Sequence, residues 1–256
     1  MKKRRSWIIL TLGFYLLILF WTVPADYLLS YLRKHEVIPA GSFTVVGLEG
    51  PWTGGRIFEI NAGGVEVNNL HWRFQPFGLL SGRLRFAVAG DLGGGSTEGV
   101  VLVGFDTVEI AKVRGRVPAD FLGRIYLPGI ELTGMLETEE LTLVAEEGYL
   151  VEGAGRLAWS DARVESPYRI GLGGVVVDLA TDDSDGIVFK LGDTGGALQA
   201  GGLGTLSPDG TYSFDGSLGA RQGSSPELAT YLQILGRPEA DGMVKIGFNG
   251  QLPRLF

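Results

Sequence analysis

Cysteine is missing from this chain and histidine is nearly so, with His35 and His71 the only two in 256 residues. A chain without thiols builds no disulfide framework, zinc knuckle or thiol nucleophile, and two histidines offer little for general acid–base work. His35 follows Arg33 and Lys34 in a predicted helix tail, and His71 sits beside Trp72 in a predicted strand; both positions read as surface or structural. No catalytic, cofactor or metal residues are expected, and the chain reads as not an enzyme. Basic excess is missing too. The net charge is −7 although Lys2, Lys3, Arg4 and Arg5 are clustered at the start, so the remainder is more acidic than the whole. Such a surface repels nucleic acid and anionic lipid headgroups.

Glycine, by contrast, is abundant: 41 residues, roughly twice the usual share of about 7%. There is no G-X-Y period, and 45% of the chain is hydrophobic, which excludes collagen and disorder. Many tight turns and close backbone approaches remain as the explanation.

The one long apolar run is SWIILTLGFYLLILFWTV, from Ser6 to Val23. In helical form it spans roughly 27 Å, close to the hydrocarbon thickness of a bilayer. Trp7 and Trp21 fall near its ends, and the basic cluster precedes it, which orients residues 1–5 to the cytoplasm and everything after residue 23 to the outer face. A cleaved leader is the alternative, because Val23-Pro24-Ala25 has the small residues of a cleavage site. Against it, the run exceeds the usual signal core, and Pro24 sits where an extended chain is needed. Residues 24–37 then read as a short juxtamembrane helix with Leu28, Leu29 and Leu32 on one side, lying on the membrane or docked on the β domain.

From residue 38 to residue 256 short apolar runs are separated by Gly, Asp, Asn, Pro and Ser. Strands are predicted near 42–47, 55–60, 64–74, 80–90, 98–105, 108–115, 130–136, 139–144, 150–159, 167–179, 186–191, 196–206, 210–219 and 243–252. Alternation such as Leu84, Phe86 and Val88 against Arg83, Arg85 and Ala87 predicts an antiparallel sheet with one wet face. Two helical interruptions are predicted. One runs from Val117 to Leu127 with Pro118 in its first turn; the other from Ser225 to Leu235, with Ser224 or Ser225 as cap, Pro226 at N1 and Gly236 at C′. The fold class is therefore all-β: one N-terminal transmembrane helix, then a long, strongly curved, mostly antiparallel sheet with two short helices.

Two stretches imitate binding motifs. Asp182-Asp183-Ser184-Asp185-Gly186 would place Thr181 and Gly192 where a calcium loop needs carboxylates, so a solvated turn fits better. Gly90 to Thr97 is glycine-rich but lacks the lysine of a phosphate loop, and reads as a hairpin.

Four ordered segments resemble the protein N family of the bacterial type II secretion system. They are Gly47 to Gly55, containing Pro51-Trp52-Thr53-Gly54; Leu70 to Leu84, containing Trp72, Pro76, Leu80 and Gly82; Gly153 to Trp159 with the later Gly192 to Tyr212; and Leu232 to Gly242, containing Gly236 and Pro238. The resemblance implies an inner-membrane component of that apparatus in a Gram-negative cell, with its bulk in the periplasm. It implies a structural or interaction role in exporting folded proteins across the outer membrane, with other inner-membrane components and the outer-membrane secretin as partners. It implies no catalytic residues. A second reading, a lipid-binding or lipid-bridging module, follows from the likeness of such a sheet to envelope proteins of the AsmA type, with phospholipid as ligand. Trp52, Trp72 and Trp159 read as interface or core residues.

Overall fold

A computed structural model describes residues 14–15, 18–35, 43–62, 64–126, 129–166, 169–182 and 186–254. Helix α1 (Ala25–Lys34) is followed by β1 (Thr44–Glu49), β2 (Gly54–Ala62), β3 (Val65–Phe74), a 3-10 turn (Pro76–Ser81), β4 (Leu84–Leu92), β5 (Gly95–Val103) and β6 (Thr107–Pro118). Helix α2 (Asp120–Tyr126) leads into β7 (Glu131–Glu146), β8 (Tyr149–Ser166), β9 (Ile170–Asp182), β10 (Gly186–Gly195), β11 (Leu198–Leu206) and β12 (Thr211–Ala220); α3 (Pro226–Leu235) and β13 (Val244–Gln251) complete the chain.

Among the described residues thirteen strands form one sheet in chain order, each antiparallel to the next, with β1 and β13 as its two edges. The expected antiparallel sheet is thus present as an open meander. Consecutive hairpins make it, and local turn chemistry makes the hairpins. Gly93 and Gly94, both at positive φ, close β4 to β5 in two residues, the geometry that suits the right-handed twist of a hairpin. Ser207 to Gly210 closes β11 to β12, with Gly210 N–H donating to the Ser207 carbonyl at 2.9 Å.

Bulges interrupt the ladders and bend the strands that carry them. Asn69, Lys112 and Asp161 have positive φ, and each lies inside a register shift of β3, β6 or β8. A further shift between Thr138 and Thr142 explains one difference from expectation: the strands predicted at 130–136 and 139–144 are a single β7, bent in the middle.

Other boundaries differ for identifiable reasons. The strand predicted from residue 80 begins at Leu84, because Pro76 opens a 3-10 turn that Gly82 ends in the left-handed region, φ 70°. Pro118 ends β6 instead of starting a helix, so α2 begins at Asp120. Ser225 caps α3 as expected, its Oγ accepting from Leu228 N–H at 3.4 Å. Gly236, however, is not a left-handed cap. Its φ is 176°, and a methyl group there would lie 2.8 Å from Val244 Cγ1, so close packing and not conformation asks for glycine.

Even-numbered strands all run toward one end of the sheet, and α2 and α3 follow β6 and β12 at that end. Each helix closes an apolar cluster. Phe121 and Leu122 pack with Val117, Leu132, Leu136 and Trp159, while Leu228 and Leu232 pack with Ile170, Leu198, Ala200 and Val244. Of the run predicted to cross a membrane, Phe14, Tyr15 and residues 18–21 are helical, and no helix among the described residues is long and apolar enough to cross one. Lys2, Lys3, Arg4, Arg5 and Trp7 lie outside the described residues.

Candidate functional site at the helix to sheet junction

The N-terminal helical residues meet the sheet at the end opposite α2 and α3. A helix leaves its last carbonyls without partners. Thr22 satisfies two of them, its N–H and Oγ reaching the Ile18 carbonyl at 3.1 Å and its Oγ reaching that of Leu19 at 3.2 Å. The next two are satisfied by the turn between β1 and β2. Trp52 Nε1 donates to the Phe20 carbonyl at 2.8 Å, and Thr53 Oγ1 donates to the Trp21 carbonyl at 3.2 Å. The chain is then stitched onward: Trp52 N–H donates to Val23 O at 3.0 Å, Ala25 N–H donates to Gly50 O at 3.0 Å, and Pro24 bridges Pro51.

Aromatic rings fill the space beneath these bonds. The Trp52 ring lies 5.2 Å from Phe20, 5.1 Å from Phe74 and 6.3 Å from Phe86, centre to centre. Trp21 stands edge-on to Phe74 at 5.6 Å. Edge-to-face pairs of this kind contribute about 0.5–1.5 kcal/mol each beyond the area they bury. Phe74 is buried whereas Trp21 stays 39% exposed, so the cluster grades from the sheet's interior to its surface.

Trp72 holds the turn from behind. Its Nε1 donates to the Trp52 carbonyl at 2.9 Å, and its indole lies over Gly55, where any side chain would collide with the ring and with the Glu49 carbonyl. Gly54, singled out by sequence, has ordinary room for a methyl group; the tight position is its neighbour. Helix α1 runs back beside β1 from this junction. At its far end Arg33 Nη2 donates to the Phe43 carbonyl at 3.3 Å, with the guanidinium 5.4 Å from the Phe43 ring. Helix α1, within the stretch 24–37 whose residues 36–37 lie outside the described residues, lies beside β1 with Leu29 and Leu32 half-buried and no residue fully buried.

The structure thus brings together Trp21, Trp52, Gly54 and Trp72. Pro76, Leu80 and Gly82 belong to the next turn at the same end, where Leu80 is 88% exposed. Trp159 lies elsewhere, in the α2 cluster, its Nε1 donating to the Thr133 carbonyl at 3.0 Å. Gly236 and Pro238 follow α3, where Pro238 bridges Val244. Phe20, Thr53, Phe74 and Phe86 are junction residues that sequence reasoning did not single out. Thr53 and Phe74 sit inside the motif stretches, but a hydroxyl aimed at a helix end leaves no periodic trace.

A second built constellation lies at the glycine-rich end of β10. Asp193 accepts from Ala200 N–H and Gly195 N–H, each at 3.0 Å, and from Arg221 Nη2 at 2.6 Å. Burial opposes its charge, but the Ala200 N–H, the Arg221 guanidinium and the Gly195 N–H together outweigh that and hold the carboxyl below its ordinary value. Arg221 also donates to the Gly196 and Leu198 carbonyls, so the pair clamps the β10–β11 hairpin to β12. Its arrangement is that of a structural bracket.

Neither histidine joins these groups. His35 lies 4.3 Å from the Tyr31 ring, and His71 lines an open hollow of about 850 Å³ with Arg73, Glu98, Lys112 and Arg114. Among the described residues no group of three or more His, Cys, Asp or Glu is placed to hold a metal ion. Residues 183–185 of the aspartate-rich turn lie outside the described residues.

Residues 42–247 match the family model described as Type II secretion system (T2SS), protein N. A relative from Klebsiella pneumoniae named Type II secretion system protein N is 27% identical over 260 aligned residues, 98% of this chain and 97% of that protein. One of the same name from Vibrio cholerae serotype O1 is 27% identical over 238 residues, 90% of this chain and 91% of that protein. No solved structure matches the chain.

Proposed function

Because the chain belongs to the type II secretion system protein N family, and so serves type II secretion, we propose that it does so as a single-pass inner-membrane component working by contact. In this reading residues 6–23 cross the membrane, Lys2, Lys3, Arg4 and Arg5 face the cytoplasm, and the sheet stands in the periplasm. Its partners are other inner-membrane secretion components and the outer-membrane secretin.

The observation that carries the reading is the junction. The sheet's first turn supplies donors to the Phe20 and Trp21 carbonyls, where a predicted membrane helix would leave the bilayer. Unsatisfied backbone groups near hydrocarbon cost several kcal/mol each, so a sheet that completes the helix end is suited to sit directly on a membrane. The same bonds favour a retained anchor over a cleaved leader, because cleavage after Ala25 would remove every N-terminal partner of Trp52 and Thr53. Contact partners would meet the open edges. Val46 on β1 is 56% exposed and Phe248 on β13 is 54% exposed, and edge strands offer unpaired backbone groups to another chain. Photo-crosslinking residues at Val46 and Phe248 in living cells should capture other secretion components. Capture of none, together with intact secretion in a deletion strain, would sink the reading.

One observation favours the phospholipid reading. Phe189, Phe214 and Phe248 stack across β10, β12 and β13 with ring centres 5.9 and 4.9 Å apart, the Phe214 and Phe189 rings lying over Gly202 and Gly204. This apolar ladder ends at an exposed edge, as a surface that accepts an acyl chain would. Native mass spectrometry of the gently extracted full chain would show co-purified phospholipid if it does so, and a clean apo mass would count against it.

A further inference from the structure

Six turns face the junction end of the sheet, and their chemistry changes along the chain. The first three are Gly50 to Thr53, Gln75 to Arg83 and Gly104 to Asp106. The first is half-buried against the helix end, and the tips of the second and third are apolar and bare: Phe77 is 82% exposed, Leu79 52%, Leu80 88% and Phe105 100%. The last three turns, after β7, β9 and β11, carry Glu146, Glu147, Asp182 and Asp209 at their described residues instead. Strand spacing of about 4.8 Å puts the three apolar turns within roughly 20 Å of one another, beside the helix end, and the last acidic turn about 50 Å away along the sheet.

Four exposed apolar side chains on turn tips cost solubility and add little to the core. The 3-10 turn actively holds Phe77, Leu79 and Leu80 out. Gly78 is buried against Arg83 and Arg85, Ser81 Oγ donates to the Gly78 carbonyl at 2.8 Å, and Arg83 N–H donates to the same carbonyl at 3.1 Å. Leu79 and Leu80 are therefore projected by a closed turn. Exposed patches of this kind mark a surface that meets another apolar phase.

We propose that Phe77, Leu79, Leu80 and Phe105 sit in the headgroup and upper acyl region of the membrane that the N-terminal helix crosses, so that the sheet rests on the bilayer by its first three turns and lifts its acidic turns away. The occupant is set by continuity. These turns neighbour the one that completes the helix end, and a helix emerging from a bilayer brings the lipid surface to them. Charge agrees, since the three apolar turns hold a single acidic residue, Asp106, in an otherwise acidic chain. Aromatic and leucine tips at that depth are the side chains that interfacial insertion uses. The proposal rests on the single-pass reading above.

The absence of cysteine makes the test direct. Single substitutions Phe14→Cys, Phe77→Cys, Leu80→Cys, Phe105→Cys and Arg169→Cys in the full chain, labelled with an environment-sensitive fluorophore, are reconstituted in phospholipid nanodiscs. Arg169 is the control, because its side chain is 90% exposed between β8 and β9 at the opposite end. Positions 77, 80 and 105 should give blue-shifted emission, quenched by bromine on the upper acyl chain and protected from aqueous iodide; position 169 should show the reverse. Lipid contact at 14 with water at 77, 80 and 105 overturns the proposal and leaves the anchor standing. Water at 14 removes the anchor and the proposal together. Lipid contact at 169 as well would mean adsorption without orientation, which also overturns it.

Discussion

The two ends of this chain are fastened to the sheet in different ways. Near the C-terminus, α3 is a plug: Leu228 and Leu232 are 2% and 5% exposed, and Val244 beneath them is fully covered. At the N-terminus no residue of α1 is fully buried, and the preceding helix end is held by three hydrogen bonds to one turn and by rings standing edge-on. The first attachment carries stability, and the second carries position. In the proposed reading, a domain that works by contact from a membrane needs both, in different places.

Breaking the plug should have the largest effect. Leu232→Ala removes a buried side chain and is expected to cost about 2–5 kcal/mol of unfolding free energy, measured by denaturant titration of the purified chain. Asp193→Ala should follow at about 2 kcal/mol, since it leaves Arg221 and two N–H groups without their acceptor; the part-exposed Arg221 keeps the ion pair itself from being worth more. This contribution also has a pH signature. The Asp193 carboxyl titrates below its ordinary value of 3.8 when folded, so its contribution is present above the unfolded value and is lost as pH falls through the folded one. The stability difference between the parent chain and Asp193→Asn should therefore shrink below about pH 3.8.

Changes at the junction sharpen the other half of the comparison. Gly55→Ala pushes a methyl group against the Glu49 carbonyl and the Trp72 indole, and is expected to cost about 1–3 kcal/mol while perturbing the first hairpin. Trp52→Phe keeps a ring but loses the donor to the Phe20 carbonyl. It should cost only about 1 kcal/mol in global stability, yet raise hydrogen exchange at Thr22 and Val23. If Trp52→Phe destabilised the sheet as much as Leu232→Ala, the division between position and stability would fail.

How much of this is legible in the sequence depends on whether a feature is periodic. Alternation and turn residues are local, so the antiparallel meander, the Gly93-Gly94 hairpin and the Ser225 cap can be read directly. Bulges are not periodic. A strand that kinks at Thr138 to Thr142 looks like two strands, and Asn69 or Lys112 in a left-handed conformation looks like any strand residue. The junction is half legible. Trp52 and Trp72 stand out by type, but their partners are carbonyls of Phe20, Trp21 and Trp52 itself, and a carbonyl carries no sequence signal. Gly236 reads correctly as the end of a helix, yet the reason for a glycine there is hidden, because its neighbour Val244 arrives from a strand outside any local pattern.

The sheet's first turn, on this account, fixes the direction of the N-terminal helix. Pulsed electron resonance between spin labels at Phe14→Cys and Val46→Cys, in the otherwise cysteine-free full chain in nanodiscs, measures that directly. The account predicts a single narrow distance distribution that broadens when Trp52→Ala is added while the sheet's own unfolding midpoint holds. A broad distribution before Trp52 is touched would contradict it.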